Sequence, residues 1–187
     1  MKKTVLILAI LMTVSNIRAA INPQYGFEDK LPSFLSVNGD SAIELSSDKF
    51  KEGKHSVRFT WNGPSELVFS NFADIESSLK VNDAGIMMWV YNTEPMKDPL
   101  RFTILDWNMN EICHFDFNAD FKGWRAIWMK YIDMLTPTGH YGDLKLKDRA
   151  TGAAGMIMKV PESSPSGTIY IDRVTFSRTR LHNQITP

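Results

Sequence analysis

An all-β fold, a sandwich of two packed sheets, follows from two patterns in this chain of 187 residues. Short runs rich in Val, Ile, Phe, Tyr and Trp recur along most of its length, and clusters of Gly, Pro, Asn, Asp and Ser separate them at close spacing. Stretches with helical periodicity are few. Many short strands divided by turns point to a sandwich rather than to alternating strand and helix units.

The first residues stand apart from this pattern. Lys2 and Lys3 precede an apolar run from Val5 to Val14, with Ala19 and Ala20 behind it, the layout of a secretory signal peptide over residues 1–19. The run is about ten residues where a spanning helix needs about twenty, so cleavage is expected rather than anchoring. No later stretch reads as a membrane span. The expected product is a bacterial periplasmic or secreted chain with one β-sandwich domain over 20–178. Residues 179–187 leave the strand pattern and read as a linker.

Ten candidate strands follow in order, at 25–28, 42–45, 55–61, 66–71, 86–91, 100–106, 111–117, 124–131, 155–160 and 168–176. Each is bounded by turn chemistry: "VNGD" at 37–40, "WNGP" at 61–64, "NTEPMKDP" at 92–99, "WNMNE" at 107–111 and "ESSPSG" at 162–167. Between 132 and 154 the apolar density falls, and a long loop with room for a short helix is expected there. Long loops at the ends of sandwiches often carry binding function.

Composition excludes several classes of function. Cys113 is the single cysteine, which rules out an internal disulfide and a thiolate zinc cluster. Loss of Lys2, Lys3 and Arg18 with the signal peptide leaves 18 basic residues against 21 acidic, a net charge of −3. Nucleic acid is not an expected partner, because phosphate binding needs a basic field. His55, His114, His140 and His182 show no metal-ligand spacing, and neither a nucleophile elbow nor a phosphate-cradling glycine loop occurs. Cys113 and His114 are neighbours on one strand and point to opposite faces, so they cannot work as nucleophile and base. Cys113 reads as a small buried hydrophobe. Carboxylate pairs such as Asp116 and Asp120 are too generic to assign.

The closing strand, "GTIYIDRVTFS" at 167–177, poses a physical problem. With a period of two, Tyr170, Asp172, Val174 and Phe176 share one face while Ile169, Ile171, Arg173 and Thr175 share the other. A bare carboxylate among apolar groups is costly unless a cation or hydrogen-bond donors compensate it. The ordinary resolution is a pair with Arg173, Lys54 or Arg58, or an exposed position on the strand. The other is an ion. An early "FE", a "G-x-x-S" turn and a late "IDR" strand are similar to elements that surround one structural cation in carbohydrate-binding sandwiches. That likeness implies a cage of hard oxygens: carboxylate from Asp172, carboxylate or carbonyl from Glu28, and main-chain carbonyls from Gly26, His55 and Arg58. Calcium is the expected ion, with sodium as the alternative.

Five tryptophans, at 61, 89, 107, 124 and 128, raise the question of sugar stacking. Trp61 and Trp89 read as core residues, Trp61 by its phase with Val57 and Phe59 and Trp89 by the unbroken apolar run around it. Trp107, Trp124 and Trp128 lie at turns or in mixed strands. Lys122, Arg125 and Lys130 stand close to the last two and would suit an acidic sugar. The plainer alternative is core packing for the rings and a solvated face for the cations.

Four segments together, "SSDKFKEGKHSVRFTWNG", "MMWVYNTEPMKDPLRFTI", "FDFNADFKGWRAIWMKY" and "VPESSPSGTIYIDRVTFS", resemble the N-terminal domain of chondroitin sulfate ABC lyases of polysaccharide lyase family 8. The family's paired-tryptophan strand departs here, with Phe59 in place of the first Trp. The likeness extends from about Tyr25 to Phe176. It implies a jelly-roll sandwich of the galactose-binding-like kind, similar to carbohydrate-binding modules and holding a cation at the five residues named above. It also implies that the catalytic residues belong to a helical domain of the same lyase that this sequence does not contain, so this chain alone is expected to be inactive. The implied polymer partner is chondroitin or dermatan sulfate. Two other readings stay open, a packing domain with no sugar affinity and an independent secreted carbohydrate-binding protein.

Overall fold

The computed structural model describes residues 24–70, 72–145, 148–149 and 152–177. The expected signal peptide and linker lie outside these residues. The described strands are β1 (Gln24–Tyr25), β2 (Leu35–Ser46), β3 (Ser56–Phe69), β4 (Gly85–Asn92), β5 (Leu100–Asp106), β6 (Glu111–Phe117), β7 (Gly123–Lys130), β8 (Leu135–Thr136), β9 (Gly139–His140), β10 (Ala153–Lys159) and β11 (Ser166–Ser177). One helix, α1 (Phe72–Leu79), and two 3-10 turns, Tyr131–Asp133 and Tyr141–Asp143, join them.

All pairings are antiparallel, in the order β7-β4-β11-β3-β10-β5-β6-β8-β9. This single ladder curls into two layers because β3 is shared between them. Its first half pairs with β11, from Val57 to Asn62, and its second half with β10, from Glu66 to Phe69. β2 follows β3 along its whole length. The core lies between the layers, with Val57, Phe59, Val90, Ile127, Ile169 and Ile171 from one side and Phe69, Phe102, Ile104, Phe115, Met156 and Met158 from the other, all buried. Phe102 and Phe115 stack with centroids 4.8 Å apart.

The long bent hairpin corrects two expected turns. "VNGD" lies inside β2 and "WNGP" inside β3, so strands expected at 55–61 and 66–71 are one element. Gly39 (φ 82°) and Gly63 (φ 123°) let the strands turn the corner without breaking. A Cβ on Gly39 would lie 2.3 Å from the Pro64 carbonyl oxygen, so the two bends nest against each other. The pairing slips between Gly39 and Ser41 at the same place.

The stretch expected as a loop after 131 is better packed than its composition implies. Tyr131, Met134 and Tyr141 are fully buried. Ser78 on α1 donates to the Tyr131 hydroxyl at 2.8 Å, and the Tyr141 hydroxyl donates to the Leu79 carbonyl at 3.4 Å. These two tyrosine hydrogen bonds are invisible to a window of mean hydropathy. Cys113 is buried as expected, with its sulfur 3.6 Å from Met134 Sδ, and burial raises its thiol pKa far above the ordinary value. His114 points the other way, onto Glu111 Oε1 at 2.6 Å.

Candidate functional site

The closing strand resolves its own conflict through a bulge. Asp172 is opposite Trp89, yet the next partners are Thr175 and Met87, so β11 carries one extra residue here. Arg173 takes up the slack with φ 52°, in the left-handed region that few side chains adopt. The phase therefore flips: Val174 and Phe176 join Ile169 and Ile171 in the core, and Asp172 stays with Tyr170 and Thr175 on the outward face. The strict alternation expected across 169–176 is wrong past Asp172 for this reason.

Asp172 remains fully buried on that face, 0% exposed, under the segment between β2 and β3. Three backbone amides meet its carboxylate. Lys51 and Glu52 donate to Oδ2 at 2.8 and 3.0 Å, and Arg173 donates to Oδ1 at 2.7 Å. Burial raises the Asp172 pKa above the usual carboxylate value, the amides of Glu52, Lys51 and Arg173 oppose this, and the charge of Glu28 adds to the rise. None of the cations weighed as its partner forms an ion pair with it among the described residues. Arg173 pairs with Glu52, and Arg58 pairs with Glu44 and, at 3.4 Å, with Asp48.

Gly26, Glu28 and Asp172, three of the five expected cation ligands, line one cavity of about 430 Å³ together with Glu52, Gly53, Lys54 and Arg173. Glu28 Oε2 accepts the Lys54 amide at 2.9 Å. His55 follows directly in sequence, and its Nδ1 is buried without a partner. The Arg58 side chain turns away toward Glu44, Asp48 and Tyr170. No group of three His, Cys, Asp or Glu side chains gathers among the described residues in a way that would hold a metal. Two carboxylates whose charges oppose each other, Glu28 and the desolvated Asp172, thus meet at one cavity walled by loop backbone.

The six candidate sugar-contacting residues do not form one patch. Trp124, Trp128 and Lys130 alternate along the outward face of β7. Arg125 takes the opposite phase, with its guanidinium 4.1 Å from the Phe121 ring centroid and 3.2 Å from Asp120. Lys122 pairs with Glu94 at 2.7 Å. Trp107, 60% exposed, follows β5 in the other layer, beside Met109, Leu105 and Ala154. Trp61 is core, at 4% exposed, but Trp89 is not. In β4 the buried phase is Ile86, Met88 and Val90, and Met87, Trp89 and Tyr91 stand half-buried on the outward face. Periodicity could not show this, because both phases of "GIMMWVY" are apolar.

Comparison with known proteins bears on this arrangement. A family model described as "Lyase, N terminal" matches residues 22–187. The chain is 26% identical over 156 residues to the chondroitin sulfate ABC exolyase of Proteus vulgaris, spanning 82% of this chain and 14% of that protein. It is 26% identical over 138 residues to the chondroitin sulfate ABC exolyase of Bacteroides thetaiotaomicron, spanning 71% of this chain and 13% of that one. It therefore corresponds to about a seventh of each relative's length. Among solved structures, the family 11 carbohydrate-binding module of the cellulosomal cellulase Lic26A-Cel5E of Clostridium thermocellum superposes with a TM-score of 0.58 at 14% identity, over 87% of this chain and 98% of the module. That likeness shows the fold, a carbohydrate-binding-module sandwich, and with the match across residues 22–187 it closes the case that the chain belongs to the lyase N-terminal family.

Proposed function

We propose that this chain is the non-catalytic, sugar-engaging N-terminal module of a periplasmic or secreted bacterial chondroitin sulfate lyase. Its role is to hold an acidic glycosaminoglycan, chondroitin or dermatan sulfate, near a catalytic domain of the same protein that performs the β-elimination. The observation that carries this reading is the family match across residues 22–187 on a carbohydrate-binding-module sandwich. The lone thiol, Cys113, is buried with its pKa raised, which suits a structural role for it. A structural cation, calcium or sodium, would be held by the carboxylates of Asp172 and Glu28 with main-chain oxygens of Gly26, His55 and Arg58. It would neutralise the two acids and brace the loop over them.

Affinity electrophoresis of the full chain through gels containing chondroitin sulfate, dermatan sulfate or a neutral glucan tests the proposal. Retardation by the two acidic polymers is expected. So is the absence of new unsaturated-uronate absorbance after incubation. Free migration in every gel overturns the binding role, and turnover overturns the non-catalytic one. A packing role for a second surface has its own support. An apolar pocket of about 290 Å³ between Val68, Leu105, Trp107, Met109, Met156 and Ile157 opens on the other layer, with Met109 64% exposed. Such a surface suits contact with the rest of a longer lyase.

A further inference from the structure

The outward face of the β2-β3-β11-β4-β7 layer carries an aromatic platform that the strand register assembles row by row. Trp124 pairs with Tyr91, and Tyr91 with Tyr170. Their rings meet edge to face, with Tyr91 centroids 5.4 Å from Trp124 and 5.9 Å from Tyr170. In the next rows Ala126 pairs with Trp89 and Trp128 with Met87. The small side chain of Ala126 leaves a gap between Trp124 and Trp128, which lie about 13 Å apart along the strand, further than one pyranose ring extends. Trp128 is 41% exposed.

Cations reach this platform from the segment that covers Asp172. Lys51 Nζ lies 4.2 Å from the Trp89 ring centroid, and Lys49 Nζ lies 5.6 Å from that of Tyr91. Neither lysine forms an ion pair among the described residues. The neighbouring cations differ: Arg58 is matched by Glu44 and Asp48, and Lys130 by Asp83 at 3.8 Å. The face thus offers flat apolar rings together with two ammonium groups that form no ion pair among the described residues. A ring face stacks on the apolar side of a sugar ring, and an ammonium above it adds a ready partner for a carboxylate or sulfate.

We propose that this face is the binding platform for an anionic pyranose chain, with Trp124, Tyr91 and Trp128 stacking sugar rings and Lys49 and Lys51 taking uronate or sulfate groups. The assignment rests on the sugar-engaging reading of the previous subsection and gives that reading a surface. Asp172 acts as a positioning residue. Its carboxylate holds the Lys51 and Glu52 amides and so sets where the lysine side chains of that segment fall.

The test is calorimetric and fluorescence titration of the full chain with a chondroitin 4-sulfate hexasaccharide and with a neutral mixed-linked glucan tetrasaccharide. Wild type is expected to bind the acidic sugar at least tenfold more tightly than the neutral one, with quenching of tryptophan emission. Trp124→Ala and the double variant Lys49→Gln/Lys51→Gln are each expected to weaken acidic binding tenfold or more. The lysine variant should also lower the dependence on salt. Lys159→Gln, a charge-matched change on the other layer, should bind as wild type does. Should Trp124→Ala fail to fold, the lysine variant, which alters loop side chains alone, still decides the matter. Wild-type affinity in both platform variants overturns this assignment and leaves the sugar-engaging role standing on another surface. Absence of binding by wild type overturns both. Self-association of wild type that Trp124→Ala abolishes would show the face to be an interface between copies, and overturns the platform too.

Discussion

Asp172 takes amide hydrogens from Lys51, Glu52 and Arg173 while the solvent is shut out, so its two protonation states differ sharply in cost. Truncation by Asp172→Ala leaves three donors without an acceptor and is expected to destabilise the fold by about 3 kcal/mol, read from urea midpoints. The pH dependence separates a bare carboxylate from one that holds a cation. With no cation, the folded pKa stands above the unfolded one, chiefly through burial. The native state then binds the proton first, and stability contributed by this group rises as pH falls through the folded value toward about 3.9. With a cation bound, the carboxylate stays ionised, its folded pKa drops below the unfolded one, and stability is lost over the acid range instead. Unfolding of wild type and Asp172→Asn, compared from pH 7 to pH 4 with calcium and with a chelator, should give difference slopes of opposite sign. Equal slopes in the two conditions would mean that no ion meets this carboxylate.

The segment between β2 and β3 is where element and site meet. Gly53 takes φ 69°, and a Cβ there would lie 1.8 Å from Glu28 Oε1, so glycine both relaxes the left-handed turn and leaves the Glu28 carboxylate its place. Gly53→Ala is expected to cost about 2 kcal/mol and to expel the Glu28 carboxylate from its bond to the Lys54 amide. Gly26→Ala, at a position with open space for a Cβ, should stay within about 0.5 kcal/mol; thermal melting of both variants checks the contrast. This element also marks how far a sequence can be read. The strands at 86–91, 100–106, 111–117 and 124–131 were legible because turns bound them tightly and their apolar content is high. β3 was cut in two and β2 cut short to 42–45 because Gly39 and Gly63 signal turns locally, and only the nested corner makes them bends. The Asp172 cavity was half legible: Gly26, Glu28 and Asp172 came from a resemblance, while the covering amides belong to backbone, which carries no residue signature. The outward phase of β4 and the lysines above it were hidden for a different reason. A strand apolar on both faces declares no inside, and a loop lysine declares no neighbour.

The whole molecule inherits its cooperativity from β3, because one strand belongs to both layers and its side chains feed one core. Phe59, in the half that pairs with β11, and Phe69, in the half that pairs with β10, are both fully buried in the same apolar cluster. A sandwich whose layers met only through side chains could lose one layer first. Here, disrupting either half of β3 strips a partner from β2 along the same hairpin and from the layer beyond it. Phe59→Ala and Phe69→Ala are therefore each expected to cost about 3–5 kcal/mol, the range for removing a buried phenyl ring. Each should do so without splitting the transition: near-ultraviolet and far-ultraviolet circular dichroism would trace one coincident unfolding curve in both variants. Separate curves in the Phe69→Ala protein, with the Asp172 layer persisting after the β10-β5-β6 layer is lost, would show that the shared strand bends between two independent units.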